Sequence, residues 1–209
     1  MRKDMIIDFE TFSKDASECA VIDCSVIFFE WNRFVSDKPY TIRDVATAKR
    51  FKLSVQDQVK NYQWKVDKST VEFWERQSPE VRKNIAPKST DITVKEFTDK
   101  FLTLLTEEGK IDYWWSRSNT FDPIILKRLF ESQNRLPHVE EHLKFWRVRD
   151  TRTFIDAKLD FPKKNGFIPI QDEEKWNMFF KEHDSSWDVL ADLLRMQTIA
   201  RAENDLELT

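Results

Sequence analysis

Glycine is almost missing from this chain: its 209 residues include two, Gly109 and Gly166. The phosphate-binding loops of Walker and Rossmann nucleotide sites need glycine at several fixed positions. Both classes of nucleotide site are therefore excluded. Neither an internal repeat nor a low-complexity linker divides the sequence, so we expect one domain covering residues 1–209.

Cysteine and long apolar runs are scarce as well. Cys19 and Cys24 form a C-x4-C spacing without a second pair, which provides neither a zinc site nor a disulfide framework, and we expect two buried free thiols. No apolar run approaches the ~20 residues that a membrane-spanning helix needs, and no signal peptide is recognisable. These absences predict a cytosolic protein without membrane association.

Positive charge is not in excess. The 34 lysines and arginines are outnumbered by 37 acidic residues, which gives a formal net charge of −3. A uniformly basic nucleic-acid-binding surface is therefore excluded, and any contact with nucleic acid must use a local patch. An enzyme that holds only the end of a strand needs few phosphate contacts, so this charge is compatible with a nucleic-acid substrate.

Strand-like and helix-like segments are mixed along the chain. Short apolar and β-branched runs predict strands at 5–9, 20–30, 51–53, 111–115 and 144–149. Helical periodicity and capping signals predict helices at 69–76, 94–109, 121–133 and 186–203, with a turn or helix after 151. The segment 31–66 is otherwise unassigned. This order is typical of an α/β sheet flanked by helices.

Two carboxylates lie on the first predicted strand. Asp8 and Glu10 are two positions apart, so both point to one face of the strand, while Ile7 and Phe9 face the opposite core. Neighbouring carboxylates repel each other unless a cation lies between them. The Asp-x-Glu spacing recurs at 172/174 and 205/207, so the alternative is an ordinary charged pair at a strand end. The apolar context of the first pair favours a functional role.

Further candidates stand near the starts of two predicted helices. Asp122, followed by Pro123, is either a helix N-cap or a ligand at the C-terminal edge of a strand. Asp188 follows His183 by five residues, and Ser185 together with Asp188 also fits a capping box. The other two histidines lie on a charged segment and are expected to be exposed. His183 is therefore the candidate for a group that titrates near neutrality.

Taken together, these side chains suit one kind of chemistry. Four carboxylates are hard oxygen donors of the kind that Mg²⁺ or Mn²⁺ prefers over zinc. A fifth group can accept a proton near neutral pH. This inventory matches two-metal phosphoryl transfer, in which the ions lie ~3.5–4 Å apart. The five residues are Asp8, Glu10, Asp122, His183 and Asp188.

Three motifs resemble those of the DEDDh 3′–5′ exonucleases, a family of the ribonuclease-T-like superfamily. They are D-x-E-T at Asp8 to Thr11, F-D at Phe121-Asp122, and H-x4-D at His183 to Asp188, whose spacing favours the histidine subclass. Longer segments are similar to the exonuclease A group of T-even-type bacteriophages, and residues 31–66 carry this similarity least. Those segments are IIDFET, STVEFWERQSPEVRKNIAP, FDPIIL, FWRVRDTRTFIDA and HDSSWD.

The resemblance implies a ribonuclease H-like fold with a central, mixed, mainly five-stranded sheet flanked by helices. It implies a 3′–5′ exonuclease that releases nucleoside 5′-monophosphates from the 3′ end of DNA, preferentially single-stranded. Two Mg²⁺ ions, for which Mn²⁺ would substitute, would be held by the four carboxylates, and His183 would deprotonate the attacking water. The alternatives are an exoribonuclease of the same fold and a catalytically silent module that binds nucleic-acid ends.

The resemblance also indicates where the terminal nucleotide would be contacted. Thr11 and Phe12, just after the first motif, match positions that use backbone and an apolar side chain. Many relatives carry asparagine four residues before the aspartate of the second motif. Here that position is Ser118, with Asn119 beside it, so the local substrate contacts differ while the ligand Asp122 is kept.

Two other segments are candidate substrate contacts. Phe73, Trp74 and Gln77 lie in a phage-like segment where an aromatic ring could stack on a base, with core packing as the alternative. Adjacent aromatic residues on a helix cannot both face one side, so one ring at most is expected to touch substrate. Arg149, beside Asp150, is either a phosphate contact or part of an ion pair.

Overall fold

The computed structural model describes residues 2–159, 168, 170 and 173–207, so the Asp-x-Glu pair at 172/174 begins outside the described residues. Within them, five strands form one mixed sheet in the order β3-β2-β1-β4-β5. β1 pairs antiparallel with β2 and parallel with β4, so the sheet is mixed and five-stranded, as the resemblance predicts. The strands are β1 Lys3–Thr11, β2 Val21–Glu30, β3 Lys49–Lys52, β4 Tyr113–Ser116 and β5 Val148–Asp150.

Helices flank the sheet. The helix over 94–109 begins with the predicted capping box, in which Thr93 Oγ1 accepts from the Glu96 amide and the Glu96 carboxylate accepts from the Thr93 amide. The helices among the described residues are α1 Trp31–Phe34, α2 Val55–Tyr62, α3 Lys68–Glu75, α4 Pro79–Ile85, α5 Val94–Glu108, α6 Asp122–Glu131, α7 Leu136–His142, α8 Thr151–Lys158, α9 Glu173–Phe179 and α10 Ser185–Glu207, with short 3₁₀ helices at Ile42–Thr47 and Phe145–Arg147.

One predicted element differs from the structure, and the sequence leaves one segment largely unassigned. The strand expected at 144–149 is a 3₁₀ helix over its middle residues, and β5 covers Val148–Asp150. The segment 31–66, where the sequence predicts only the strand at 51–53, forms α1, a 3₁₀ helix, β3 at Lys49–Lys52 and α2. Part of this segment is fixed by a distant partner: the buried Gln58 amide accepts from the Val21 amide at 2.7 Å and donates to the Val21 carbonyl at 2.8 Å. Local sequence patterns carry no signal for such a contact.

The sheet separates two apolar layers. Ile7 and Phe9 pack with α5 and α6 on one face, whereas Ile6 packs with α10 on the other. The alternation of side chains along β1 therefore directs Asp8 and Glu10 toward the α10 face. Both cysteines are buried free thiols in the first layer. Among the described residues, no helix is both long and apolar enough to cross a membrane.

Asp4 joins β1 to its neighbours at their N-terminal ends. Its fully buried carboxylate accepts hydrogen bonds from the indole N–H of Trp31 at 2.7 Å and of Trp115 at 2.8 Å. It also accepts from the Tyr113 amide at 3.2 Å and from the Arg2 guanidinium at 2.7 Å. β1 and β4, the strands that lead to the candidate site, are thus held by one acidic side chain.

Replacement of Asp4 tests this junction. Asp4→Ala leaves two indole N–H groups without their acceptor, and each unpaired buried donor costs about 1–3 kcal/mol. We expect the free energy of unfolding, measured by urea titration, to fall by about 3 kcal/mol. Glu131→Ala, which removes an exposed acid paired with Lys127 on the surface of α6, is the control and should change it little. A loss no larger than that of the control would contradict the assigned role.

Candidate active site

Three carboxylates converge on the α10 face of the sheet. Oxygen atoms of Asp8, Glu10 and Asp188 all lie within 4.8 Å of one another, a spacing suited to one metal ion. Asp8 and Glu10 come from the C-terminal half of β1, and Asp188 comes from the first turn of α10. The three side chains are partly buried. Folding therefore unites residues that are 180 positions apart in sequence.

These carboxylates are not compensated by hydrogen bonds. In the described part of the chain, none of the three accepts one. Burial raises the pKa of Asp8 well above its ordinary value, and the charge of Asp122 raises it further. Burial and the charge of Asp188 do the same for the pKa of Glu10. Without a cation, the cluster is an unfavourable concentration of negative charge, which a divalent ion would relieve.

Asp122 stands beside this group rather than within it. It is 4% exposed and is the first residue of α6, but its side chain does not cap that helix. Instead, its Oδ1 accepts from the Phe9 amide at 3.1 Å, on β1 between Asp8 and Glu10. Burial raises the pKa of Asp122 to about 7. The N-cap alternative is thus not what the structure has, and Asp122 lies next to Asp8.

His183 lines the same cavity as two of the carboxylates. The cavity measures about 230 Å³, and its walls include Asp8, Asp188 and His183. The imidazole contacts the rings of Phe73 and Trp74 edge-on, at centroid distances of 5.1 and 5.6 Å. The His183 backbone is left-handed, with φ of 58°, a conformation in which histidine is enriched among non-glycine residues. His183, the predicted base, therefore lies beside the carboxylate cluster in the same cavity.

An ionic clamp fixes the start of α10 to the sheet. Arg50 on β3 forms ion pairs with Asp23 on β2 and, at 2.8 Å, with Asp184 just before α10. The Ser185 hydroxyl donates to Asp23 at 2.6 Å, and Asp184 Oδ1 accepts from the Ser186 amide at 3.1 Å. Asp184 thus caps the N-terminus of α10. The alternative of a Ser185–Asp188 capping box does not occur. Asp188 is left to face β1.

A second group of charges lies one turn further along α10. Asp192 is 3% exposed and forms ion pairs with Arg117 and, at 3.2 Å, with Arg195. It also accepts from the Thr151 hydroxyl at 2.5 Å. Burial and the charge of Asp192 raise the pKa of Asp188 to about 7, and the two arginines lower it. The four-residue spacing from Asp188 is the one sequence signal that could have identified Asp192.

The expected substrate contacts divide by exposure. Trp74 is 3% exposed, and its indole donates to the Thr11 carbonyl at 2.9 Å. Phe73 is 41% exposed and faces His183, so it is the ring of the pair that a base could reach. The ladder between β1 and β2 shifts register between Glu10 and Thr11. Phe12, which follows, is half-buried and packs beneath Trp74.

Two further candidates lie at the edges of the site. The Gln77 side chain donates to the Phe73 carbonyl at 3.1 Å, at the end of α3. The backbone N–H of the exposed Asn119 donates to the Asp150 carboxylate at 3.2 Å, and this bond connects the loop before α6 to the end of β5. Arg149 forms no ion pair with Asp150 in the described part of the chain, since its guanidinium donates to backbone carbonyls instead.

Two sequence comparisons show what this chain is similar to. A family model described as a 3′–5′ exoribonuclease Rv2179c-like domain matches residues 3–188. The sequence is 33% identical to a protein of Enterobacteria phage T4 named exodeoxyribonuclease, over 223 aligned residues that cover 98% of this chain and 92% of that protein. The match therefore includes both ends of the candidate site.

Solved structures with little sequence identity share the fold. A zinc-bound complex of E. coli exonuclease I with single-stranded DNA is similar with a TM-score of 0.56 at 13% identity, covering 96% of this chain but 40% of that one. The nuclease domain of 3′hExo, a DEDDh family member bound to rAMP, also gives a TM-score of 0.56, at 9% identity, covering 97% and 92%. The expected ribonuclease H-like exonuclease fold is confirmed.

The raised pKa values predict how stability depends on pH. Asp188 has a pKa of about 7 in the folded chain and an ordinary value of 3.8. The folded chain thus binds this proton more tightly than the unfolded chain. The contribution of protonated Asp188 to the free energy of unfolding is therefore complete below pH 3.8 and is lost as the pH rises through about 7. In EDTA, Asp188→Asn should raise the Tm at about pH 8 but not at about pH 4.

Thermal unfolding of both proteins across this range is the measurement. Addition of Mg²⁺ at the higher pH should then raise the Tm of the unchanged protein more than that of Asp188→Asn, because binding to the folded state stabilises it. If the Tm of both proteins depended equally on pH, the inferred repulsion within the carboxylate cluster would be contradicted.

Proposed function

The chain belongs to the Rv2179c-like 3′–5′ exoribonuclease domain family and is a 3′–5′ exonuclease, and we propose that it degrades DNA by the two-metal mechanism of the DEDDh subclass. In this proposal residues 1–209 form one exonuclease domain that releases nucleoside 5′-monophosphates from a 3′ end. The observation that carries it is the convergence of Asp8, Glu10 and Asp188 within 4.8 Å.

The donor set fits divalent cations. Three uncompensated carboxylates supply hard oxygen ligands for one ion, and Asp122, whose charge acts on Asp8, would contribute to a second. Mg²⁺ suits such oxygen ligands, and Mn²⁺ would substitute. When bound, the ions would supply charge stabilisation at the attacked phosphate and at the leaving 3′ oxygen. The protein holds the carboxylates at fixed spacing through β1, α6 and the clamped start of α10.

His183 is the proposed general base. It shares a cavity with Asp8 and Asp188, in which the attacking water would lie between the imidazole and the carboxylates. The edge-on contacts with Phe73 and Trp74 restrict the orientation of the ring. A neutral imidazole accepts the proton of the attacking water, and the carboxylates beside it stabilise the resulting imidazolium.

The terminal nucleotide would lie against the partly exposed ring of Phe73. A single unpaired base can stack on such a ring, which supports a preference for single-stranded ends. Thr11 and Phe12 follow the carboxylates on the same strand and would contact the sugar and base. Gln77 and Asn119, at the edges of the site, would contribute polar contacts.

Substitutions test the division of roles. Asp8→Ala or Asp188→Ala should abolish hydrolysis because each removes a metal ligand, while circular dichroism shows a retained fold. His183→Ala should slow turnover ~10²–10⁴-fold, the range for loss of a general base. Glu131→Gln, an exposed acid at the far end of α6, is the control and should leave the rate unchanged. Activity of Asp188→Ala equal to that of the control would overturn the mechanism.

A second candidate is an exoribonuclease, favoured by the description of the matching family model. The phage relative, at 33% identity over nearly the whole chain, favours DNA.

Matched 5′-labelled DNA and RNA oligonucleotides, incubated with Mg²⁺, Mn²⁺ or EDTA, separate the two candidates. We expect a ladder that shortens from the 3′ end, faster for DNA and absent in EDTA. Faster shortening of RNA would favour the second candidate, and metal-dependent binding without any ladder would indicate a silent end-binding module.

A further inference from the structure

Two aromatic side chains next to the sheet edge are unusually exposed. Phe145 and Trp146, on the 3₁₀ helix that precedes β5, are 70% and 59% exposed, the highest values for aromatic residues in the described part of the chain. Their ring centroids are 5.0 Å apart and their planes meet at 88°. Exposed rings of this size are costly to leave in water, and adjacent pairs mark binding surfaces more often than isolated ones.

Three cations surround these rings. Lys144, Arg147 and Arg149 are partly buried, and no carboxylate of the described residues lies within 4 Å of their charged groups. The Lys144 ammonium lies 6.0 Å from the Trp146 ring centroid. We call these five residues, Lys144, Phe145, Trp146, Arg147 and Arg149, the aromatic–basic patch.

The arginines of the aromatic–basic patch are held in place by contacts other than ion pairs within 4 Å, although the charge of Arg147 acts on Asp112. Arg149 lies 4.4 Å over the ring of Tyr113 and donates to the Trp146 and Val148 carbonyls at 3.0 and 2.7 Å. Arg147 donates to the Ile111 carbonyl at 3.3 Å. Because the chain as a whole carries a net charge of −3, a cluster of unpaired cations marks a local attraction for a polyanion.

We propose that the aromatic–basic patch binds single-stranded nucleic acid, upstream of the 3′ end in the active site. Unpaired bases offer flat faces for Phe145 and Trp146, and the phosphates between them match the cations. The inference rests on the proposed function for its choice of partner. β5, which joins the patch to Asp150 and the Asn119 loop, is three residues long, or about 10 Å. A few nucleotides of single-stranded nucleic acid therefore reach from the aromatic–basic patch to the edge of the active site.

Binding without cleavage tests the proposal. The unchanged protein and its variants are titrated, in EDTA, into fluorescein-labelled single-stranded DNA of about 20 nucleotides and of two. Phe145→Ala/Trp146→Ala should raise the Kd for the longer oligonucleotide about tenfold, which corresponds to about 1.4 kcal/mol. The Kd for the shorter one should stay unchanged, because two nucleotides at ~3.4 Å each are shorter than β5 and do not reach the patch from the active site. Phe179→Ala, an aromatic that is 51% exposed outside the patch, is the matched control.

A charge variant provides an independent measurement. In Lys144→Gln/Arg147→Gln/Arg149→Gln both rings remain, and loss of three phosphate contacts should reduce the slope of log Kd against log salt by about 2. If both variants fold and bind the longer DNA like the control, the proposal is overturned and a protein partner becomes the better candidate for the patch. Failure of the proposed function is distinct, since it appears as missing hydrolysis with Mg²⁺ while binding in EDTA is unaffected.

Discussion

Mutual repulsion among carboxylates is the constraint on which this site depends. Asp8, Glu10 and Asp188 carry like charges in partly buried positions, and nothing in their own chemistry holds them together. The fold does so by attaching α10 elsewhere: Arg50 bridges Asp23 and Asp184, one turn before Asp188. The favourable ion pairs thus lie next to the unfavourable cluster, and the apolar face of α10 packed on the sheet supplies the remaining stabilisation.

A second ionic network lies on the other side of the carboxylate cluster. Asp192 adds to the negative field on Asp188, while Arg117 and Arg195 reduce it. Asp192 is itself buried with both arginines, so removal of one partner alone would leave an uncompensated charge in the interior. The site is therefore not simply acidic. It is a set of carboxylates flanked by two ionic networks, the Arg50 clamp and the Asp192 group.

The motif residues could be predicted from sequence because their chemistry and their local context coincide. Alternation along β1 placed Asp8 and Glu10 on one face, and the F-D and H-x4-D motifs marked Asp122 and Asp188, which lie at the starts of α6 and α10. What could not be predicted depends on contacts between distant segments. The Arg50 clamp joins β2, β3 and the start of α10, and none of its members stands out in a local window. Likewise, periodicity indicated that Phe73 and Trp74 point apart but not which of them is buried.

The separation of the ligands along the polypeptide has a consequence for synthesis. Asp8 leaves the ribosome early, whereas Asp188 emerges after 180 more residues have been added. Since domains form from the N-terminal side as translation proceeds, β1 can pair with β2 long before the third carboxylate exists. A product that stops just before α10 contains all five strands together with Asp8, Glu10 and Asp122 but lacks Asp188. Under the proposed mechanism such an incomplete chain is inactive, and hydrolysis becomes possible only once α10 has been made.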